Sequence, residues 1–145
     1  MSERAAVTRD TVFLDPYCRR VHGTWSYTLD DPLAVSLVLH PAGGSATRVW
    51  SWARALLAAA FVAPSGDADV HLYRSTLERM VLRLSAPDGD CLLSCLAEPV
   101  WEFLVSTCVM CAPCRSGQCG SCPECALVRQ ALDAELVGIL RGAVS

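Results

Sequence analysis

Lysine is missing from this chain: all twelve basic residues are arginine, set against fifteen acids, for a formal charge of −3. Arg19 and Arg20 are the only adjacent basic pair, so the basic stripe from which nucleic-acid domains draw most of their affinity is absent. Nucleic acid is therefore not an expected partner, and the scattered arginines read as an ordinary solvated surface. Long apolar runs are missing too. The longest, Ala55–Ala63, is nine residues, against the roughly 20 that a bilayer-spanning helix needs. The opening MSERAAVTRD sets charges on both sides of Ala5–Val7 and contains no apolar stretch of signal-peptide length. No transmembrane segment and a soluble, cytoplasmic protein are expected. Internal repeats, heptads and low-complexity tails are likewise not evident.

What is present suffices for one core. With 145 residues and 52% hydrophobic content, a single domain over 1–145 needs no disulfide staples. Strand signals start at Arg20. Trp25 and Tyr27 sit two apart, and Leu33, Val35, Leu37 and Leu39 alternate with Ala34, Ser36 and Val38, with Asp30, Asp31 and Pro32 as the turn between. After a second turn at Pro41–Ser45, VWSWARALLAAAF changes period: Trp50, Ala53, Leu57, Ala60 and Phe61 form one stripe of a predicted helix that Pro64–Gly66 stops. Val70 and Leu72, then Met80, Leu82 and Leu84, mark the inward faces of two further strands. Pro87, Asp88 and Gly89 turn the second of these into CLLSCLAE. Pro99 fits the first position of a helix through Trp101, Phe103 and Leu104, and a closing helix follows at Val128, Leu132, Leu136, Ile139 and Leu140. The predicted class is α+β, a mainly antiparallel sheet packed with helices, with an insertion between the last two helices.

That insertion is the densest chemistry in the chain. Six of nine cysteines fall at Cys108, Cys111, Cys114, Cys119, Cys122 and Cys125, spaced CxxCxxCxxxxCxxCxxC. Thiols stay reduced in a cytosol, where such clusters are metal ligands or redox centres more often than bridges. The block 108–125 has no His and a single carboxylate, Glu124, so a cage would be all thiolate, which selects Zn²⁺ or an iron-sulfur cluster. Cys111 and Cys114 with Cys122 and Cys125 make two knuckles around one ion. Cys108, Cys111, Cys114 and Cys122 have a spacing that resembles the structural zinc lobe of medium-chain alcohol dehydrogenases, and six thiolates suit a bridged pair of zincs. CxxCxxC with Cys119 or the Cys122-Pro123 pair resembles ferredoxin loops, but the spacing to the fourth ligand departs from theirs. Zinc is the preferred reading, with iron-sulfur and metal-free thiols or disulfides as alternatives. A closed four-thiolate site is structural, since it leaves no position for water.

Elsewhere the chemistry is sparse. Asp67, Asp69 and His71 alternate and would share one strand face, yet Asp67 also suits turn support and Asp69 with His71 a solvated face. No nucleophile with a base is identifiable, so no catalytic residue is assigned. Cys91 and Cys95 share a strand face and read as small buried hydrophobes. His22 and His40 read as surface groups near strand ends. Trp50 and Trp101 fit core stripes, and Trp52 is the aromatic most expected at a subunit interface.

Several stretches stand in an order that carries a resemblance: TWSYTLDDPLAV, VWSWARALL, PSGDADVHLY, LSAPDGDCLL and the EFL at Glu102–Leu104. Over about Val21 to Leu104 the chain resembles the SsgA-like sporulation and cell-division proteins of mycelial, spore-forming bacteria. The most specific pieces are Pro64–His71 and the WxxARxLL of Trp50, Ala53, Arg54, Leu56 and Leu57. The resemblance implies a Whirly-like fold, a compact trimer and a non-catalytic protein recruited to the division septum. There it would serve as an adaptor for the tubulin-like division GTPase FtsZ or for septal peptidoglycan remodelling. The chain departs from the pattern at Leu33, where an aromatic is usual, and at Ser106, where a basic residue is usual. The cysteine block also replaces a valine-proline-glycine loop, which points to an altered partner or regulation. Two rival functions follow from other features: a single-stranded nucleic-acid-binding regulator, from the Whirly-like relationship and zinc knuckles, and a metal or redox sensor, from the cysteines.

Overall fold

A computed structural model describes residues 6–40, 47–87 and 89–110. The elements are β1 (Ala6–Leu14), β2 (Arg20–Thr28), β3 (Ala34–His40), β4 (Arg48–Ala53), α1 (Arg54–Ala59), β5 (Ser65–Asp67), β6 (Val70–Arg74), β7 (Arg79–Ala86), β8 (Gly89–Leu96) and α2 (Ala97–Met110). All strands join one curled sheet in the order β4-β3-β2-β1-β8-β7-β6-β5. It consists of two four-stranded antiparallel meanders, each followed by a helix. They meet at a seam with one register pair, Leu14 with Ser94. The mainly antiparallel α+β class expected from the sequence is therefore found.

Period-2 patterning decides which face is buried. Phe13, Trp25, Tyr27, Val35, Leu37 and Leu39 from the first meander turn into the concave side. Val70, Leu72, Met80, Leu82, Leu84, Leu93 and Cys95 do so from the second. Trp25 is fully buried at the centre. Phe13, Trp52 and Phe103 surround it with ring centroids 6.1, 5.7 and 5.8 Å away, so strands β1, β2 and β4 and helix α2 share one aromatic core. Gly23, on the same inward face, makes this possible: a Cβ there would stand 2.5 Å from Cε2 of Phe13.

Four expectations need correction. Trp50 and Trp52 belong to a strand, not a helix, because their i, i+2 spacing turns both toward the concave face beside Leu37 and Val35. The chain becomes helical only at Arg54, whose backbone N–H donates to the Leu33 carbonyl at 2.8 Å. Trp52 is consequently 7% exposed and part of the core, which removes it from consideration as an interface residue. Leu33 lies in the turn before β3 and is 61% exposed, so the inward alternation begins at Val35. Pro99 is the third residue of α2, since the Ala97 N–H, bonded to the Glu78 carbonyl at 2.7 Å, opens the helix. Strands β1 and β5 are additions to the sequence reading. The second turn and the closing helix lie outside the described residues.

Candidate functional surfaces

The family-like motifs resolve into scaffold. Arg54, the arginine of WxxARxLL, is buried at 1% exposure. Its Nη1 donates to the Thr107 hydroxyl at 3.1 Å and its guanidinium stands over the Tyr27 ring at 5.3 Å. Thr107 in turn donates to the Leu104 carbonyl at 2.6 Å, so one hydroxyl both caps a cation and stays satisfied within α2. The Pro64–His71 stretch forms the β5–β6 hairpin. Ala68 adopts φ 53°, reversing the chain between Asp67 and Asp69. Asp67 thus ends β5, Asp69 lies in the turn and His71 belongs to β6. The common strand face expected for these three does not form, and all three are exposed. Among the described residues no three His, Cys, Asp or Glu side chains converge to hold an ion.

Among the described residues, three surface regions stand out. The first is a cleft of about 600 Å³ beside the start of α2, where Phe61 meets Trp101 edge-on at 5.2 Å and Arg74 stands over Phe61 at 5.4 Å. Arg9 and Glu102 close one side with an ion pair of 2.6 Å. Its rim mixes cations with Glu78 and Glu98, and none of the described lining residues is a nucleophile paired to a base. The second is the concave mouth of the curled sheet, about 330 Å³, where Leu39, Arg48 and Trp50 face Leu84, Cys91 and Leu93. Burial pushes the Cys91 thiol up, against the pull of Arg48, so this sulfur is less nucleophilic than an exposed thiol.

The third region is the convex face, where outward positions of the two meanders differ. On β2, β3 and β4 they include the hydroxylic Thr24, Ser26, Ser36 and Ser51 beside Arg20, His22, Val38, His40 and Val49; Ser36 and Ser51 share a hydrogen bond of 2.8 Å. On β6, β7 and β8 they are Tyr73, Val81, Leu92 and Leu96, interleaved with His71, Arg79 and Arg83. Leu92 and Leu96 are 43% and 53% exposed, and each stands in register with an arginine, Arg83 and Arg79 respectively. Arg83 also pairs with Asp90 at 2.9 Å; its guanidinium first, then the Ser85 hydroxyl, holds that carboxyl below the usual range. Sequence reasoning passed over this face, although the alternation that turned Leu82 and Leu84 inward also turned Val81 and Arg83 outward.

Of the six clustered cysteines, Cys108 sits in the last turn of α2, half-buried and packed against the core. Cys111, Cys114, Cys119, Cys122 and Cys125 lie outside the described residues. His22 and His40 are register partners on β2 and β3, exposed on the convex face.

The profile of the family described as "Streptomyces sporulation and cell division protein, SsgA" matches residues 21–115. The chain belongs to this family. It is 36% identical over 88 residues to a sporulation-specific cell division protein of Frankia casuarinae, covering 58% of this chain and 59% of the relative. To SsgB of Streptomyces coelicolor it is 37% identical over 84 residues, 56% of this chain and 61% of that protein. The matches thus span about 60% of the length of these relatives. Among solved structures, one described with SsgB mutations that correlate with longitudinal cell division during sporulation of Streptomyces coelicolor superposes with TM-score 0.70. It is 28% identical and the match covers 78% of this chain and 94% of that one. An SsgA-like sporulation-specific cell division protein from Thermobifida fusca shares the fold at TM-score 0.67 and 23% identity, covering 95% and 98%.

Proposed function

We propose that this SsgA-family chain is a non-catalytic adaptor in septum formation during sporulation. It presents docking surfaces to the division machinery, either the GTPase FtsZ or the enzymes of septal peptidoglycan remodelling, and works as a self-associated oligomer, a trimer by family likeness. The observation that carries this reading is the match across residues 21–115 to a family whose relatives are described as sporulation-specific cell division proteins. No helix of the described residues is long and apolar enough to cross a membrane, so recruitment to the septum would go through another protein. A fluorescent fusion expressed in a sporulating host tests it. Ladders of septal bands are expected, and signal that stays diffuse throughout septation sinks the adaptor reading.

A metal-dependent reading of the cysteine block accompanies it. Cys108, Cys111, Cys114, Cys119, Cys122 and Cys125 supply up to six thiolates for Zn²⁺, with an iron-sulfur cluster as the competitor. The support is their spacing, together with the position of Cys108 on a helix already packed into the core, which fixes one ligand before an ion arrives. The closed site would stiffen the segment and thereby set which partner it accepts, and its loss would make the segment a redox-responsive element. Elemental analysis of anaerobically purified protein separates the options. Stoichiometric zinc in a colourless protein supports the first, a brown protein with visible absorption the second, and neither metal removes both.

A further inference from the structure

We propose that the convex face of β6, β7 and β8 docks an acidic polypeptide segment with apolar anchors, an inference that rests on the adaptor reading and gives it a surface. The charge on this molecule is segregated. Although the chain is net negative, the outward strand positions of the sheet carry Arg20, Arg79 and Arg83 and all three of the chain's histidines, His22, His40 and His71. The aspartates among them are Asp10, which accepts from the Thr24 hydroxyl at 2.9 Å, and Asp90, bound to Arg83. The other acids among the described residues lie in turns or on a helix: Asp15 in the β1–β2 turn, Asp30 and Asp31 in the β2–β3 turn, Asp67 and Asp69 in the β5–β6 hairpin, Glu78 in the β6–β7 turn, Glu98 and Glu102 on α2. With three guanidiniums against two carboxylates, the outward strand positions are weakly cationic on a chain that is net negative, which favours an acidic partner over a basic one.

Apolar side chains stand on both halves of that face, with Val12 and Val49 exposed on the first meander, but on β8 Leu92 and Leu96 stand in register with arginines. Tyr73, Leu92 and Leu96 are 37%, 43% and 53% exposed. His71, Tyr73, Arg83, Asp90 and Leu92 line a shallow depression. The register sets Arg83 beside Leu92 and Arg79 beside Leu96, and adjacent strands are about 4.8 Å apart. Each apolar contact thus has a guanidinium one strand away, which suits a partner in which leucine-like anchors sit next to carboxylates. Single-stranded nucleic acid fits less well. Its platforms stack successive bases on several aromatic rings, and among the described residues Tyr73 is the only aromatic at an outward strand position.

The experiment uses the full chain and fluorescence anisotropy with three probes. These are a labelled peptide of Glu-Leu-Leu-Glu repeats, its counterpart with lysine in place of every glutamate, and oligo-dT. The acidic peptide is expected to bind at low salt and the lysine peptide not to. Arg83→Glu and Leu92→Ser, both at exposed positions, should each weaken binding on the order of tenfold. Arg20→Glu, on the first meander, should change it little. Circular dichroism and gel filtration confirm that each variant is folded. Absence of acidic-peptide binding, binding indifferent to Arg83 and Leu92, or preferential binding of oligo-dT through the same residues overturns the proposal. So does a change of oligomeric state in the variants without a change in peptide affinity, which would make this the self-association face. The fusion protein keeps the two readings apart: Arg83→Glu and Leu92→Ser fusions that still band at septa reject this surface and leave the adaptor intact, whereas a diffuse wild-type fusion rejects the adaptor itself.

Discussion

The guanidinium of Arg54 donates to the hydroxyl of Thr107 at 3.1 Å inside the core, tying the helix after the first meander to the helix after the second. A buried cation demands satisfied donors, because leaving a polar group unmade there costs more than the bond contributes. Thr107→Val removes the acceptor while keeping the shape. A loss of about 1.5–3 kcal/mol in urea unfolding is expected, largely recovered in Thr107→Ser. A double-mutant cycle with Arg54→Met should show coupling above roughly 0.5 kcal/mol. Additive effects would show that the two helices are joined by something else.

Gly23 faces Phe13 so closely that a methyl group has no room, at 2.5 Å from Cε2 and 3.1 Å from Cδ2. Gly23→Ala should therefore destabilise by about 1–3 kcal/mol through overpacking. Adding Phe13→Leu in the same chain should return part of the loss by opening space. Thermal melts of the two variants decide it, and a neutral Gly23→Ala would mean that the aromatic cluster shifts without strain.

The sequence made the second meander readable nearly strand by strand, because Met80, Leu82 and Leu84 alternate against outward Arg79, Val81 and Arg83 without interruption. Strand β1 was harder. Its inward residues Thr11 and Phe13 follow Arg9 and Asp10, and Arg9 is drawn toward Glu102 by a tertiary ion pair that no local pattern announces. Strand β4 was misread for a different reason: Trp50, Ala53, Leu57 and Phe61 satisfy a helical period, and only the edge pairing with β3 breaks it at Ala53. Inward patterning alone does not reveal the convex face, because which outward side chains become neighbours depends on the β1–β8 seam and the register across four strands. The reading of Asp67 as turn support and of Asp69 with His71 as solvated groups agrees with their exposure, whereas a shared strand face does not form because a single left-handed residue, Ala68, separates positions that simple alternation would align.

Asp15 organises the turn after β1. Its Oδ1 accepts from the backbone N–H groups of Tyr17 and Arg19 at 2.9 and 2.8 Å, and Oδ2 accepts from Arg19 Nε at 2.8 Å. Desolvation alone would raise this carboxyl; the hydrogen bonds from Arg19 and Tyr17 outweigh it and hold the pKa below its ordinary 3.8. A folded-state pKa below the unfolded one contributes stability that is present above the unfolded value and disappears as pH falls through the folded value. Urea midpoints of the wild type and Asp15→Asn should thus differ near neutrality and converge as pH drops below about 4. A gap that persists at lower pH would assign the effect to geometry and not to charge.

Among the described cysteines, Cys95 is buried and Cys18 exposed. Cys95 is 1% exposed on the concave side of β8; burial pushes its thiol from 9.0 to about 12, with Arg79 pulling weakly the other way. Cys18 is exposed in the Asp15 turn. An alkylating reagent reaches an exposed sulfur and not one sealed in the core, so brief iodoacetamide treatment near pH 8 should modify Cys18 and spare Cys95, as read by peptide mass mapping, with Cys95 modified only after denaturant is added. The same shift has a consequence for stability. Since the unfolded thiol ionises first, its contribution is complete below about pH 9 and declines as pH rises toward about 12. Cys95→Val, which keeps an apolar group of similar size, should flatten the alkaline limb of the stability profile. Equal labelling rates at Cys95 and Cys18 in the native protein would contradict both parts, because a core sulfur that reacts like a surface one is not held out of water by the sheet.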